Sequence, residues 1–181
     1  MNKVGSEDSP VYLPTAAAGR PERVDSVSLM LEASKDAVIE RAISIIEERL
    51  HRVDDTVYSS PDLVKRYCFL KLAQEPVEFF GVLFLDNRHR LIEYQSLFRG
   101  TIHGASVHPR EVARAAIEAN AVAVVLTHNH PSGVPEPSRA DTTLTKRLVE
   151  ALNLLDICVL DHIVVGSTLE GCVSFAERGL I

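Results

Sequence analysis

The sequence predicts an α/β domain, a mixed β-sheet covered by helices, with a short helical extension on its N-terminal side. Three observations carry this expectation. The second half of the chain reads strand, helix, strand, helix, strand in order. Before it, two dense apolar runs flank a short polar turn, which is a β-hairpin pattern and makes the sheet mixed. The run Ala121 to Thr127 is apolar and β-branched on both faces, as a central, doubly covered strand requires.

Taken in order, residues 1–23 are rich in Ser, Pro, Ala and Gly, lack apolar periodicity and read as a disordered leader. Residues 24–58 form the extension. Within it Val38, Ile39, Ala42, Ile43, Ile46 and Leu50 recur at helical spacing, predicting a helix from about Lys35 to His51 with Ser34 as its N-cap. Residues 59–181 form the main domain. It opens at Ser59-Ser60-Pro61-Asp62, where a cap residue, a proline at the first helical position and an early acid announce a helix through about Ala73. Val77 to Leu85 and Arg90 to Phe98 read as the hairpin strands around Asp86-Asn87-Arg88-His89. His108-Pro109 starts the next helix, with Val112, Ala115, Ala116 and Ala119 on one face and Asn120 closing it. Leu144, Leu148, Leu152 and Leu155 mark a helix of about four turns. Ile157 to Val165 reads as a strand, and a short strand near Val173 and Phe175 precedes a tail packed by Leu180 and Ile181.

Composition narrows the function classes. With 181 residues, 46% hydrophobic and 24% charged, the chain is an ordinary globular protein with room for one core. Its apolar runs are too short to span a bilayer, and the N-terminus lacks a signal-peptide pattern. A net charge of −6 gives no global attraction for nucleic acid. Arg88, Arg90, Arg99, Arg110 and Arg114 cluster in sequence but read as a solvated face. Cys68, Cys158 and Cys172 are odd in number, widely spaced and set among apolar residues. They read as buried reduced thiols of a cytoplasmic protein.

The chemistry concentrates between Ala121 and Asp141. Residues two apart on an extended chain face the same side, so His128 and His130 can offer both imidazoles to one point. Asp141 could add a carboxylate. Two imidazoles and a carboxylate make an open zinc site, with a fourth position left for water. Ser138-x-x-Asp141 is equally a helix capping box, and the two roles are compatible. Asp161 and His162, a second polar pair in an apolar strand, read as structural. Other metal patterns fit less well: no His-Glu-x-x-His occurs, the deaminase signature is absent, and a barrel amidohydrolase needs about 250 residues.

His128-Asn129-His130-Pro131, six residues, then Ser138-Arg139-Ala140-Asp141 resembles the JAMM motif of MPN-domain metallopeptidases. The flanking FFGVLFLDNRHRLI, LFRGTIHGASVHPREV, LDHIVVG and SFAERGLI resemble the RadC-like branch of that family from about Ser59 to Ile181. The resemblance implies an MPN-type fold in which His128, His130 and Asp141 hold Zn2+. It further implies that Ser138 stabilises an oxyanion and that an upstream glutamate, Glu78 or else Glu93, acts through the activated water. The implied reaction is hydrolysis of a peptide or isopeptide bond in a peptide or protein substrate. The alternative is a RadC-like interaction module with little or no catalysis in a DNA-linked complex. Asn129 stands where ubiquitin-removing members carry Ser or Thr, and the region before Ser59 is too short for the helix-hairpin-helix of long RadC-like proteins. The first departure matches RadC-like members, and the second weakens any DNA-binding or DNA-repair role implied by the family name.

Overall fold

The computed structural model describes residues 26–51, 61–100 and 107–181. The expected leader, and the Ser59-Ser60 cap, lie outside the described residues. The chain divides into two units, Met1–Lys35 and Asp36–Ile181. Described residues of the first are the opening turns of α1 (Ser26–Leu50). The helix therefore begins nine residues before the predicted Lys35. Ser26 to Lys35 contains neither Gly nor Pro and is rich in Leu, Met, Glu and Ala, so propensity carries the helix beyond the stripe that packs.

The second unit holds the rest of α1 and then α2 (Pro61–Leu72), β1 (Phe79–Leu85), β2 (Leu91–Arg99), α3 (Pro109–Glu118), β3 (Ala123–Asn129), α4 (Arg139–Asn153), β4 (Cys158–Val165) and β5 (Val173–Ser174). Its five strands run in the order β2-β1-β3-β4-β5. β1 is antiparallel to both β2 and β3, β3 is parallel to β4 across the α4 connection, and β5 is antiparallel to β4. The sheet is thus mixed, as the hairpin and the strand-helix-strand alternation predict. Asp86 organises the hairpin turn by accepting from the backbone N–H groups of Arg88 and Arg90, each at 2.9 Å.

Strand alternation splits the core into two layers. Leu83, Leu85, Ala123, Val125, Ile163 and Val165 pack with Ile43, Leu50, Val64, Tyr67 and Leu72 of α1 and α2. Phe80, Val82, Phe84, Val124 and Leu126 pack with Val112, Ala115 and Ala116 of α3 and with Leu148 and Leu152 of α4. Every residue of β3 is buried, because both of its faces are covered. Among the described residues, no helix is long and apolar enough to cross a membrane.

Three local expectations are corrected. Leu155 falls beyond the end of α4 and is 44% exposed, since the helical stripe stops at Leu152. Leu180 and Ile181 are exposed rather than packed, because the chain turns away after Phe175 through Gly179, at φ 66°. Cys68 and Cys172 are buried thiols, but Cys158 opens β4 at the surface and is exposed.

Candidate metal centre

The site forms where β3 leaves the sheet. The strand runs two residues further than predicted, so His128 lies within it, 1% exposed, and His130 follows just beyond it. Parity does the positioning: Val124, Leu126 and His128 share the face covered by α3 and α4, and Asp141 stands in the first turn of α4. Nε2 of His128 and Nε2 of His130 are 3.0 Å apart. Asp141 Oδ1 lies 3.6 Å from the first nitrogen, and Oδ2 lies 3.5 Å from the second.

That triangle fits a metal. Zinc bonds of about 2.0–2.1 Å at tetrahedral angles place neighbouring donor atoms about 3.3 Å apart, close to the three spacings observed. Two imidazoles and one carboxylate are a borderline donor set suited to zinc, with a fourth direction left open. Among the described residues, His128, His130 and Asp141 form the group that could hold a metal ion.

The partners of each donor fix its aim. His130 Nδ1 lies 2.7 Å from the carbonyl of Val134. A carbonyl only accepts, so Nδ1 carries the proton and Nε2 presents its lone pair to the triad. The loop after His130 is held in this pose by backbone bonds: His130 N–H to the Val165 carbonyl at 2.9 Å, and Gly133 N–H to the His130 carbonyl at 2.8 Å. Gly133 sits at φ 79°, a conformation that a side chain would strain.

Asp141 also completes the capping box. Its Oδ2 accepts from the Ser138 N–H at 2.7 Å, and Ser138 Oγ accepts from the Asp141 N–H at 3.1 Å. Helix start and triad therefore share one carboxylate. Burial alone would raise its pKa, but the neighbouring His128 and His130 imidazoles and the hydrogen bond with Ser138 outweigh that and hold the carboxyl well below the usual range. His130 is shifted upward, first by the adjacent Asp141 carboxylate, against the opposing effect of burial, and further by the Val134 carbonyl and the charge of Glu78.

Glu78 precedes β1 and is half-buried. Phe80 pairs with His128 in antiparallel register, which carries Glu78 to the level of His130. Glu93 belongs elsewhere. It pairs with Phe84, which pairs with Val124, four residues before His128 and therefore about 13 Å along the strand. Ser138 lies at the surface, and its cap role uses Oγ as an acceptor, which leaves its O–H free to donate.

One residue that sequence reasoning assigned otherwise touches the site. His162 is not merely structural: its Nε2 lies 2.8 Å from His128 Nδ1, and its Nδ1 lies 2.7 Å from Thr145 Oγ1. Leu126 and His162 are register partners on the parallel β3–β4 ladder, so His162 reaches the same face as His128. A histidine in a strand buried on both sides was the available signal. Burial, reinforced by the neighbouring His128, holds its pKa well below the ordinary value. Asp161 is structural as expected, accepting from Ser174 Oγ at 2.6 Å and from the Ala176 N–H at 2.9 Å. Asn129 faces the other way and fastens the approach to β1. Its Oδ1 accepts from Phe79 N–H at 2.8 Å, while Nδ2 donates to the carbonyls of Val77 at 3.0 Å and Glu75 at 3.3 Å.

Fold and site together define an α/β domain that carries an open His-His-Asp metal-type centre at the end of its central strand. Residues 58–180 match the RadC-like JAB domain, and the chain belongs to that family. Its relatives include UPF0758 proteins of Thioalkalivibrio sulfidiphilus (55% identical over 149 residues, 82% of this chain and 65% of that protein) and Nitrosococcus oceani (54% over 145 residues, 80% and 63%). A UPF0758 protein of Vibrio cholerae is 51% identical over 151 residues, 83% of this chain and 92% of that protein. The chain thus spans just under two thirds of the first two relatives.

Proposed function

We propose that this protein is a zinc-dependent hydrolase of the JAMM type that cleaves a peptide or isopeptide bond. The observation that carries the proposal is the convergence of three donors at spacings of 3.0, 3.5 and 3.6 Å, a three-ligand set that would leave a fourth tetrahedral position for water. His128 and His130 would hold the metal through Nε2, and Asp141 through its carboxylate. Zinc, when bound, supplies a Lewis acid that brings the pKa of its water to about 7. The Glu78 carboxylate would accept a proton on the His130 side of the site and pass it to the leaving amine nitrogen. The free O–H of Ser138 would donate to the scissile carbonyl oxygen as charge develops there; loss of one such donor costs about 100 to 1,000-fold in rate. A reducing, cytoplasmic compartment suits three unpaired thiols.

Metal content is the first test. Protein purified without chelator should carry zinc, and His128→Ala and Asp141→Ala should lose it; zinc-free wild type, or variants that bind as well, would remove the ligand assignment. Turnover is measured separately on peptide and isopeptide panels. Glu78→Gln should keep the metal and lose cleavage, and equal cleavage by both proteins would take Glu78 out of the reaction.

A further inference from the structure

We infer that Thr145 and His162 are positioning residues that hold His128 in the tautomer a metal requires, with Nδ1 protonated and the Nε2 lone pair turned to the triad. The purpose of this relay rests on the metal-site reading above, whereas the tautomer itself exists without a metal.

The argument starts from one hydroxyl proton. Thr145, 1% exposed, donates it to the Asp141 carbonyl one turn back in α4, at 2.7 Å. With that proton committed, Oγ1 can only accept from His162 Nδ1, which therefore carries a hydrogen. One proton remains to be placed between His162 Nε2 and His128 Nδ1, 2.8 Å apart. If it sat on His162, that ring would be a cation with no exposed surface, set beside the rings of Phe80 at 5.6 Å and Phe175 at 4.8 Å. Its hydrogen-bond partners are a hydroxyl and an imidazole, neither of them a carboxylate. A buried charge without a counter-charge is costly. The proton therefore belongs to His128 Nδ1, and His128 Nε2 is left as a lone pair facing His130 and Asp141. The relay closes on itself: it runs from the ring of one ligand to the backbone of another, and it joins β3, β4 and α4. His130 needs no such chain, because the Val134 carbonyl already fixes its tautomer.

Long-range proton–nitrogen NMR spectra of the metal-free full chain, assigned by comparison with His128→Ala, report the tautomer directly. The expected pattern is a pyrrole-type Nδ1 and a pyridine-type Nε2 at His128. Thr145→Val, nearly the same shape but without the hydroxyl, should mix the two tautomers and weaken zinc binding about 10 to 100-fold, while Thr145→Ser should restore both. His162→Leu should show the same loss. His162→Gln, whose amide can accept from His128 and donate to Thr145, should recover most of it. A wild-type His128 protonated on Nε2 would overturn the inference. So would a folded Thr145→Val, checked by circular dichroism, that keeps the wild-type tautomer and zinc affinity. The expected tautomer in a wild type that takes up no zinc would sustain the relay and overturn the metal-site reading instead.

Discussion

At the scale of single residues, the tripeptide His128-Asn129-His130 does two jobs through alternation alone. The histidines face α4 and supply donors, and the asparagine between them faces the opposite layer and supplies three hydrogen bonds to residues 75–79. Every hydrogen-bonding group it spends there is buried, Asn129 being 3% exposed. Replacing it leaves two carbonyls and one N–H without their partner, so Asn129→Ala should cost about 2 kcal/mol in urea unfolding. Zinc affinity should stay at the wild-type value in a competitive titration, because the side chain points away from the donors. A parallel loss of affinity would show that the two faces are coupled. The sequence marks Asn129 only as a departure from the ubiquitin-removing members. What it grips is invisible there, because residues 75–79 lie fifty or more positions away along the chain.

At the scale of elements, α4 begins at the candidate metal centre, and its cap and a candidate ligand share the Asp141 carboxylate. This coincidence separates two roles for Ser138 by experiment. As an N-cap, Ser138→Ala should cost about 1 kcal/mol of stability and Ser138→Gly only a few tenths. As a hydrogen-bond donor in the reaction, both variants lose the same hydroxyl and should lose rate equally. Unfolding curves beside turnover rates on a cleavable peptide decide the matter: rates that follow the stability ranking would assign Ser138 to the cap alone. The element boundaries also explain where sequence reasoning fell short. The periodicity of α1 locates the stripe that packs, from Ile39 to Leu50, but not the helical turns before it. The strand pattern of β3 stops at Thr127 because histidine and asparagine interrupt the apolar run, yet ladder pairing continues through Asn129.

At the scale of the whole molecule, the centre ties the sheet to a helix that follows it in the chain, so its donors converge only in the folded state. Zinc should therefore stabilise the fold by mass action, by about 2.7 kcal/mol when free zinc is a hundred times its dissociation constant. Unfolding transitions with zinc, with chelator and for His130→Ala check this. The variant should lose the zinc-dependent shift, and an unchanged wild-type transition would place the metal outside the folded centre. Three arginines of the Arg-rich stretch carry local acid partners, Arg90 on Asp86, Arg110 on Glu111, and Arg114 on Glu111 and Glu118. By itself the sequence determined the α/β class, the hairpin and the central strand and pointed to three candidate donors, because each follows from periodicity, turn chemistry or spacing within some twenty residues. Only the tertiary structure decided that Glu78 rather than Glu93 lies level with His130, and that His162 and Thr145 stand behind His128. Those placements depend on register between strands and on a helix crossing back over the sheet, and such contacts leave no local pattern in the chain.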